Sequence, residues 1–116
     1  MSNLKIYGIK NCDTMKKAMR WLEANDTGFE FHDYKKSGAD EAVLKQAIQS
    51  HGWESVINRR GTTWRKLDEQ VKNTMNDEMA LKTAMDNPSI IKRPLTLFNN
   101  KIYLGFSDKE FEDIFR

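Results

Sequence analysis

The sequence predicts an α/β chain: a mixed four-stranded sheet with helices on both faces, and an all-helical insertion over about residues 37–88. Three observations carry that reading. A short apolar segment, an amphipathic stretch and an alternating segment follow one another before residue 35. The middle of the chain then shows helical spacing and no strand alternation. A hairpin signal and a strongly marked helix start close the sequence.

Leu4-Lys-Ile-Tyr-Gly-Ile9 is short and β-rich, the pattern of a buried strand. Residues 10–14 read as a turn. Met15, Ala18, Met19 and Leu22 then recur at i, i+3, i+4 and i+7, one face of an amphipathic helix, which Trp21 extends. Gly28 closes that segment. Phe29-Glu-Phe-His-Asp-Tyr34 alternates as a second strand, so the chain begins β-α-β with a parallel pair. Lys35-Lys-Ser-Gly38 breaks the pattern. Asp40 is placed to cap a helix presenting Val43, Leu44, Ala47 and Ile48. Trp53, Val56 and Ile57, then Trp64 and Leu67, then Met79, Leu81, Ala84 and Met85 suggest further short helices, ended by Asn87-Pro88. Pro94–Phe98 and Lys101–Leu104 flank Asn99-Asn100, a two-residue hairpin turn because Asn tolerates positive φ. Ser107 and Glu110 form a capping box, with Phe106 and Phe111 at its staple positions. The resulting order is that of the thioredoxin-like fold, in a single domain spanning residues 1–116.

The 19 basic and 17 acidic side chains give a net charge of +2, which makes no case for nucleic-acid binding. Apolar runs are too short for a membrane helix. The opening residues carry no apolar signal core after a basic run, so a cytoplasmic protein is expected. One cysteine and two separated histidines offer no metal-ligand spacing, and there is no glycine-rich phosphate loop. No bound cofactor is expected, and the chain reads as a monomer.

Cys12 falls between the first strand and the first helix. Alone, a single Cys reads as a small buried hydrophobe. A helix N-terminus changes that reading: its free N–H groups and partial positive charge favour a thiolate, the reactive form. The backbone from Asn11 to Thr14 supplies such groups. Lys10, Lys16 and Lys17 add positive charge, and Asp13 opposes it. Position 15 is Met, not a second Cys, so a resolving thiol must come from outside, most simply glutathione or a dithiol protein. Two basic sites are candidates for an anion pocket: Arg59-Arg60, within a stretch that also holds Arg65, and Arg93 beside Pro94. The plain alternative for the first is a solvated basic face. His32 reads as an outward residue of the second strand.

These residues resemble the ArsC/Spx (arsenate reductase-like) family. The resemblance is nearest to its YffB-like branch, whose hallmarks are similar to Gly8-Ile-Lys-Asn-Cys-Asp-Thr-Met-Lys-Lys-Ala18 and Asn58-Arg-Arg-Gly-Thr-Thr-Trp-Arg-Lys-Leu67. It implies a thioredoxin-like fold, a cis Pro94 beside the thiol, and Cys12 as the nucleophile. It also implies oxyanion-holding arginines at Arg93 and at Arg59 or Arg60. There are two departures. Gly105-Phe106 stands where a third arginine is expected, and Gly8 stands where the reductases carry a histidine thought to help ionise the thiol. The function so implied is a glutathione-dependent thiol/disulfide reductase acting on a small anionic or disulfide substrate, with glutathione as co-substrate and glutathione or glutaredoxin as partner. Two alternatives stand beside it: a glutaredoxin-coupled arsenate reductase, and an Spx-like transcription regulator that binds RNA polymerase. For the last, Met15 excludes a C-x-x-C redox switch.

Overall fold

The computed structural model describes residues 3–115, which divide into two compact units. One comprises the chain up to Lys36 together with everything from Arg93 onward; the other is Ser37–Lys92.

The first unit carries the sheet. Strands β1 (Leu4–Gly8), β2 (Glu30–Asp33), β3 (Leu95–Phe98) and β4 (Lys101–Leu104) lie in the order β2-β1-β3-β4. The β1–β2 pair is parallel, with Ile6 opposite Phe31; β1–β3 and β3–β4 are antiparallel, with Ile6 opposite Thr96 and Thr96 opposite Tyr103. This is the thioredoxin-like arrangement that the order of elements implied. Helix α1 (Asp13–Ala24) links the parallel pair, as such a crossover requires. Its stripe of Met15, Ala18 and Leu22 is fully buried with Leu4, Ile6 and Phe111. Met19, Trp21, Phe29, Phe31 and Phe98 pack around that cluster.

The end of the chain locks this core. Asn99 and Asn100 both adopt left-handed φ, 51° and 65°, as a two-residue hairpin turn matched to strand twist demands. Ser107 Oγ accepts from the Glu110 N–H at 3.1 Å at the start of α8 (Asp108–Phe115). The Phe106 and Phe111 rings meet edge-to-face at 4.7 Å, which is the hydrophobic staple. Phe111 also meets Trp21 at 5.6 Å and Phe115 at 5.3 Å. Truncating so enclosed a ring costs roughly 3–5 kcal/mol.

The second unit is helical: α3 (Glu41–His51), α4 (Trp53–Val56), α5 (Thr62–Arg65), α6 (Glu69–Asn73) and α7 (Asp77–Asp86), then a 3₁₀ turn at Pro88–Ile90. Asp40, Asp68 and Asn76 cap α3, α6 and α7 with side-chain bonds of 3.2, 3.0 and 2.9 Å. Leu44, Ala47, Ile48, Val56, Ile57, Ala80, Ala84, Ile90 and Ile91 are buried in it, and Ile57 and Ile91 are joined by an isolated antiparallel bridge.

Three local readings are corrected. β2 stops at Asp33, because the Asp33 carboxylate accepts from the Lys35 N–H at 3.0 Å and turns the chain into a short helix, α2 (Tyr34–Ser37). Lys35 and Lys36 therefore lie in helix rather than in a break. His32 does not simply face outward. It is half-buried, its ring 4.9 Å from Tyr7 and 5.9 Å from Tyr34. Tyr7 and Leu95 are buried on the same face of the sheet as His32, so alternation along β2 does not separate core from solvent.

Candidate functional site

Cys12 is the N-cap of α1. Its backbone is extended, at φ −136° and ψ 129°, and its carbonyl accepts the first helical bond, from Lys16 N–H at 2.9 Å. The side chain is half-buried at the rim of the apolar cluster. Burial alone pushes a thiol up, because it disfavours the charged form. Four influences overcome it: the Met15 N–H, a hydrogen bond from the Arg93 side chain, the Arg93 charge, and the Thr14 N–H. The net result is a thiol held below its ordinary value. The protonated sulfur makes no full capping hydrogen bond. The amides act on the anion, where a charge-assisted bond forms more readily.

The chain positions these groups by short connections. Cys12 follows β1 by four residues, and Met15 and Thr14 lie in the first turn of the helix that β1 leads into. Arg93 lies two residues before β3, which pairs with β1. The Arg93–Pro94 peptide bond is cis, and the Pro94 carbonyl accepts from Gly105 N–H at 2.9 Å across the start of the hairpin.

The ArsC family profile matches residues 7–114 of this chain. The chain belongs to the ArsC family. An uncharacterised protein of Haemophilus influenzae is 46% identical over 112 residues, covering 97% of this chain and 98% of its own. A solved structure described as YFFB protein superimposes with a TM-score of 0.91 at 41% identity, covering 95% of this chain and 96% of that one. The global transcriptional regulator Spx of Streptococcus mutans is 28% identical over 102 residues, covering 86% of this chain and 74% of its own. The relatives so matched thus include a transcriptional regulator as well as proteins of undescribed activity.

Of the candidate residues, the structure brings Cys12, Thr14 and Arg93 into one constellation. Asn11 is exposed in the turn before α1, and the influences on the thiol do not include it. Lys10, Lys16 and Lys17 are also exposed, and the positive charge acting on the sulfur is that of Arg93.

Arg59 and Arg60 belong to the second unit, and both are exposed. Arg59 lies over the Trp53 ring, 5.7 Å from its centroid, and Trp53 stacks on Trp64 at 6.2 Å. The Arg60 N–H donates to Asn58 Oδ1 at 3.2 Å, and Asn58 N–H donates to Ile90 O at 2.8 Å. The turn that presents both arginines is thus anchored beside the Ile57–Ile91 bridge. Holding Arg59 on an aromatic face distinguishes it from Arg60, a difference that spacing alone leaves open.

Sequence reasoning placed the useful amides at Asn11 to Thr14 and missed Met15. The signal was available: the N-cap side chain is served by the N–H groups two and three residues on, and residue 15 is three on from Cys12. The departure at position 8 also has a physical side. A Cβ on Gly8 would stand 2.5 Å from Met15 Sδ, so no side chain fits there with Met15 as it lies.

Proposed function

We propose that the protein is a glutathione-dependent thiol/disulfide reductase of the cytosol. The observation that supports this reading best is the N-cap thiol of α1, held below its ordinary value by two backbone amides and Arg93. In the proposed cycle, the Cys12 thiolate attacks the glutathionyl sulfur of a glutathione mixed disulfide. One S–S bond breaks as another forms on Cys12, and the departing thiolate takes a proton from water. A glutathione thiolate then attacks the Cys12 mixed disulfide, freeing the Cys12 thiolate and leaving oxidised glutathione. The net exchange is one mixed disulfide plus one glutathione giving one freed thiol plus oxidised glutathione, so the single glutathione consumed closes the turnover. Arg93 and the amides of the first turn stabilise the thiolate as nucleophile and as leaving group. Arg59 or Arg60 is proposed as a further anion-binding side chain.

The test is turnover of a glutathione mixed disulfide with glutathione, followed by formation of oxidised glutathione. Cys12→Ser is expected to abolish it; retained turnover in that variant overturns the scheme. Arsenate in place of the disulfide, with glutathione and glutaredoxin, tests the arsenate reductase alternative. The likeness to Spx favours a second reading, a regulator that binds RNA polymerase. Retention of polymerase on the immobilised protein, unaffected by Cys12→Ser, is the result that reading expects.

A further inference from the structure

We propose that Gly8 and Met15 form a positioning pair for Cys12: the bare backbone of Gly8 is the seat on which the Met15 side chain fixes the first turn of α1. The inference rests on Cys12 being the working thiol and adds what holds its donors in place.

Gly8 is not a glycine for the sake of its backbone. The glycines with left-handed φ are Gly38, Gly52 and Gly105, and Gly8 is not among them. What it supplies is room. A Cβ there would meet Met15 Sδ at 2.5 Å, Cε at 2.9 Å and Cγ at 3.2 Å, so three successive side-chain atoms lie against the strand at this point. Met15 is 0% exposed, enclosed by Leu4, Ile6, Ala18, Leu22 and Phe111. A thioether is pliable, but one enclosed on all sides shifts only by disturbing its neighbours, because cores are packed to crystal density.

Met15 also carries the backbone N–H that serves the Cys12 sulfur. Its side chain and its amide leave the same Cα. Pressing the side chain onto β1 therefore sets where that N–H points, and the connection from Gly8 to Cys12 is too short to absorb an independent shift. Gly8 and Met15 touch no substrate in this account; they act through the geometry of the first turn.

The experiment is the pH profile of Cys12 alkylation by iodoacetamide, measured with a thermal melt on the same samples. Gly8→Ala is expected to move the profile to higher pH. On its rising limb the rate should fall about two- to tenfold, the range that one hydrogen bond of ordinary strength spans. Met15→Ala keeps the residue-15 amide but removes the side chain that seats on Gly8, so it should move the profile the same way, and adding Gly8→Ala to it should shift the profile no further. Met15→Leu keeps the volume but branches at Cγ, where the chain lies flat on Gly8; it should shift the profile upward with little change in melting. A folded Gly8→Ala protein with an unshifted profile overturns the pairing. So does a double variant whose shift is the sum of the two single shifts, and, should Gly8→Ala not fold, an unshifted Met15→Leu profile. If instead the unsubstituted protein already titrates as an ordinary thiol, it is the reading of Cys12 as an activated nucleophile that falls.

Discussion

Five helix starts of this chain, those of α1, α3, α6, α7 and α8, are built in two ways, while α4 and α5 start on glycines that offer no side-chain cap. At α3, α6, α7 and α8 an Asp, Asn or Ser side chain accepts a first-turn amide at 2.9–3.2 Å. At α1 the N-cap is Cys12, whose protonated side chain makes no such bond. The four polar caps satisfy donors that would otherwise be orphaned, each contributing about 1 kcal/mol. The α1 start leaves its donors to an anion, and the thiolate of Cys12 is the anion within reach. The same geometry thus stabilises a fold in four places and a reactive ionisation state in the fifth. The difference is one atom type at the N-cap, reinforced by Arg93.

Exchanging that atom is the most drastic way to sharpen the contrast. Cys12→Ser turns the fifth cap into one like the others. All turnover that depends on the thiolate should be lost, while the protein gains about 0.5–1 kcal/mol in denaturant unfolding because serine caps in its neutral form. A variant that is inactive and less stable would mean that the α1 start is not a vacant cap.

Arg93→Ala breaks the reinforcement and leaves the cap. The thiol should rise toward its ordinary value, since burial opposes ionisation and only the two amides remain against it. Alkylation on the rising limb of the pH profile should slow about three- to tenfold, the strength of a charged hydrogen bond reduced by solvent screening. An unchanged profile would assign the ionisation to the amides alone. On the other side of the comparison, Asp40→Ala removes a purely structural cap. It should cost roughly 1 kcal/mol of stability and leave the Cys12 profile where it was. A shifted profile there would couple the second unit to the thiol.

The parts of this contrast that lie within one element were legible in the sequence. The stripe of Met15, Ala18 and Leu22 needs only a 3.6-residue period. The Asn99-Asn100 turn and the Ser107 cap each rest on residues within four positions of one another. What escaped depends on register between elements. That Met15 lies on Gly8 follows from how α1 is set down on β1, and no periodicity encodes the 2.5 Å approach. That Ile57 meets Ile91 joins residues far apart in the chain. His32 misled because alternation assumes a sheet with one wet face, whereas both faces of β1 bury residues, Ile6 on one and Tyr7 on the other. Distinguishing Arg59 from Arg60 likewise required Trp53, six residues upstream, to be seen beneath one of them.

The smallest effect expected is on stability against pH, and its sign separates the two kinds of helix start. Cys12 is depressed in the folded protein and ordinary in the unfolded chain. Between those two values the unfolded chain binds the extra proton, so stability rises with pH across that window and levels off above the ordinary thiol value. Going down in pH, the contribution disappears as the folded protein takes up its proton. The Asn76 and Ser107 caps give no such slope, because neither an amide nor a serine hydroxyl titrates in this range. Unfolding free energies measured across the window should therefore climb for the native chain and stay flatter for Cys12→Ser. Equal slopes in the two proteins would show that the thiol ionises alike in folded and unfolded chains, and that the first turn of α1 gives the sulfur nothing that water does not.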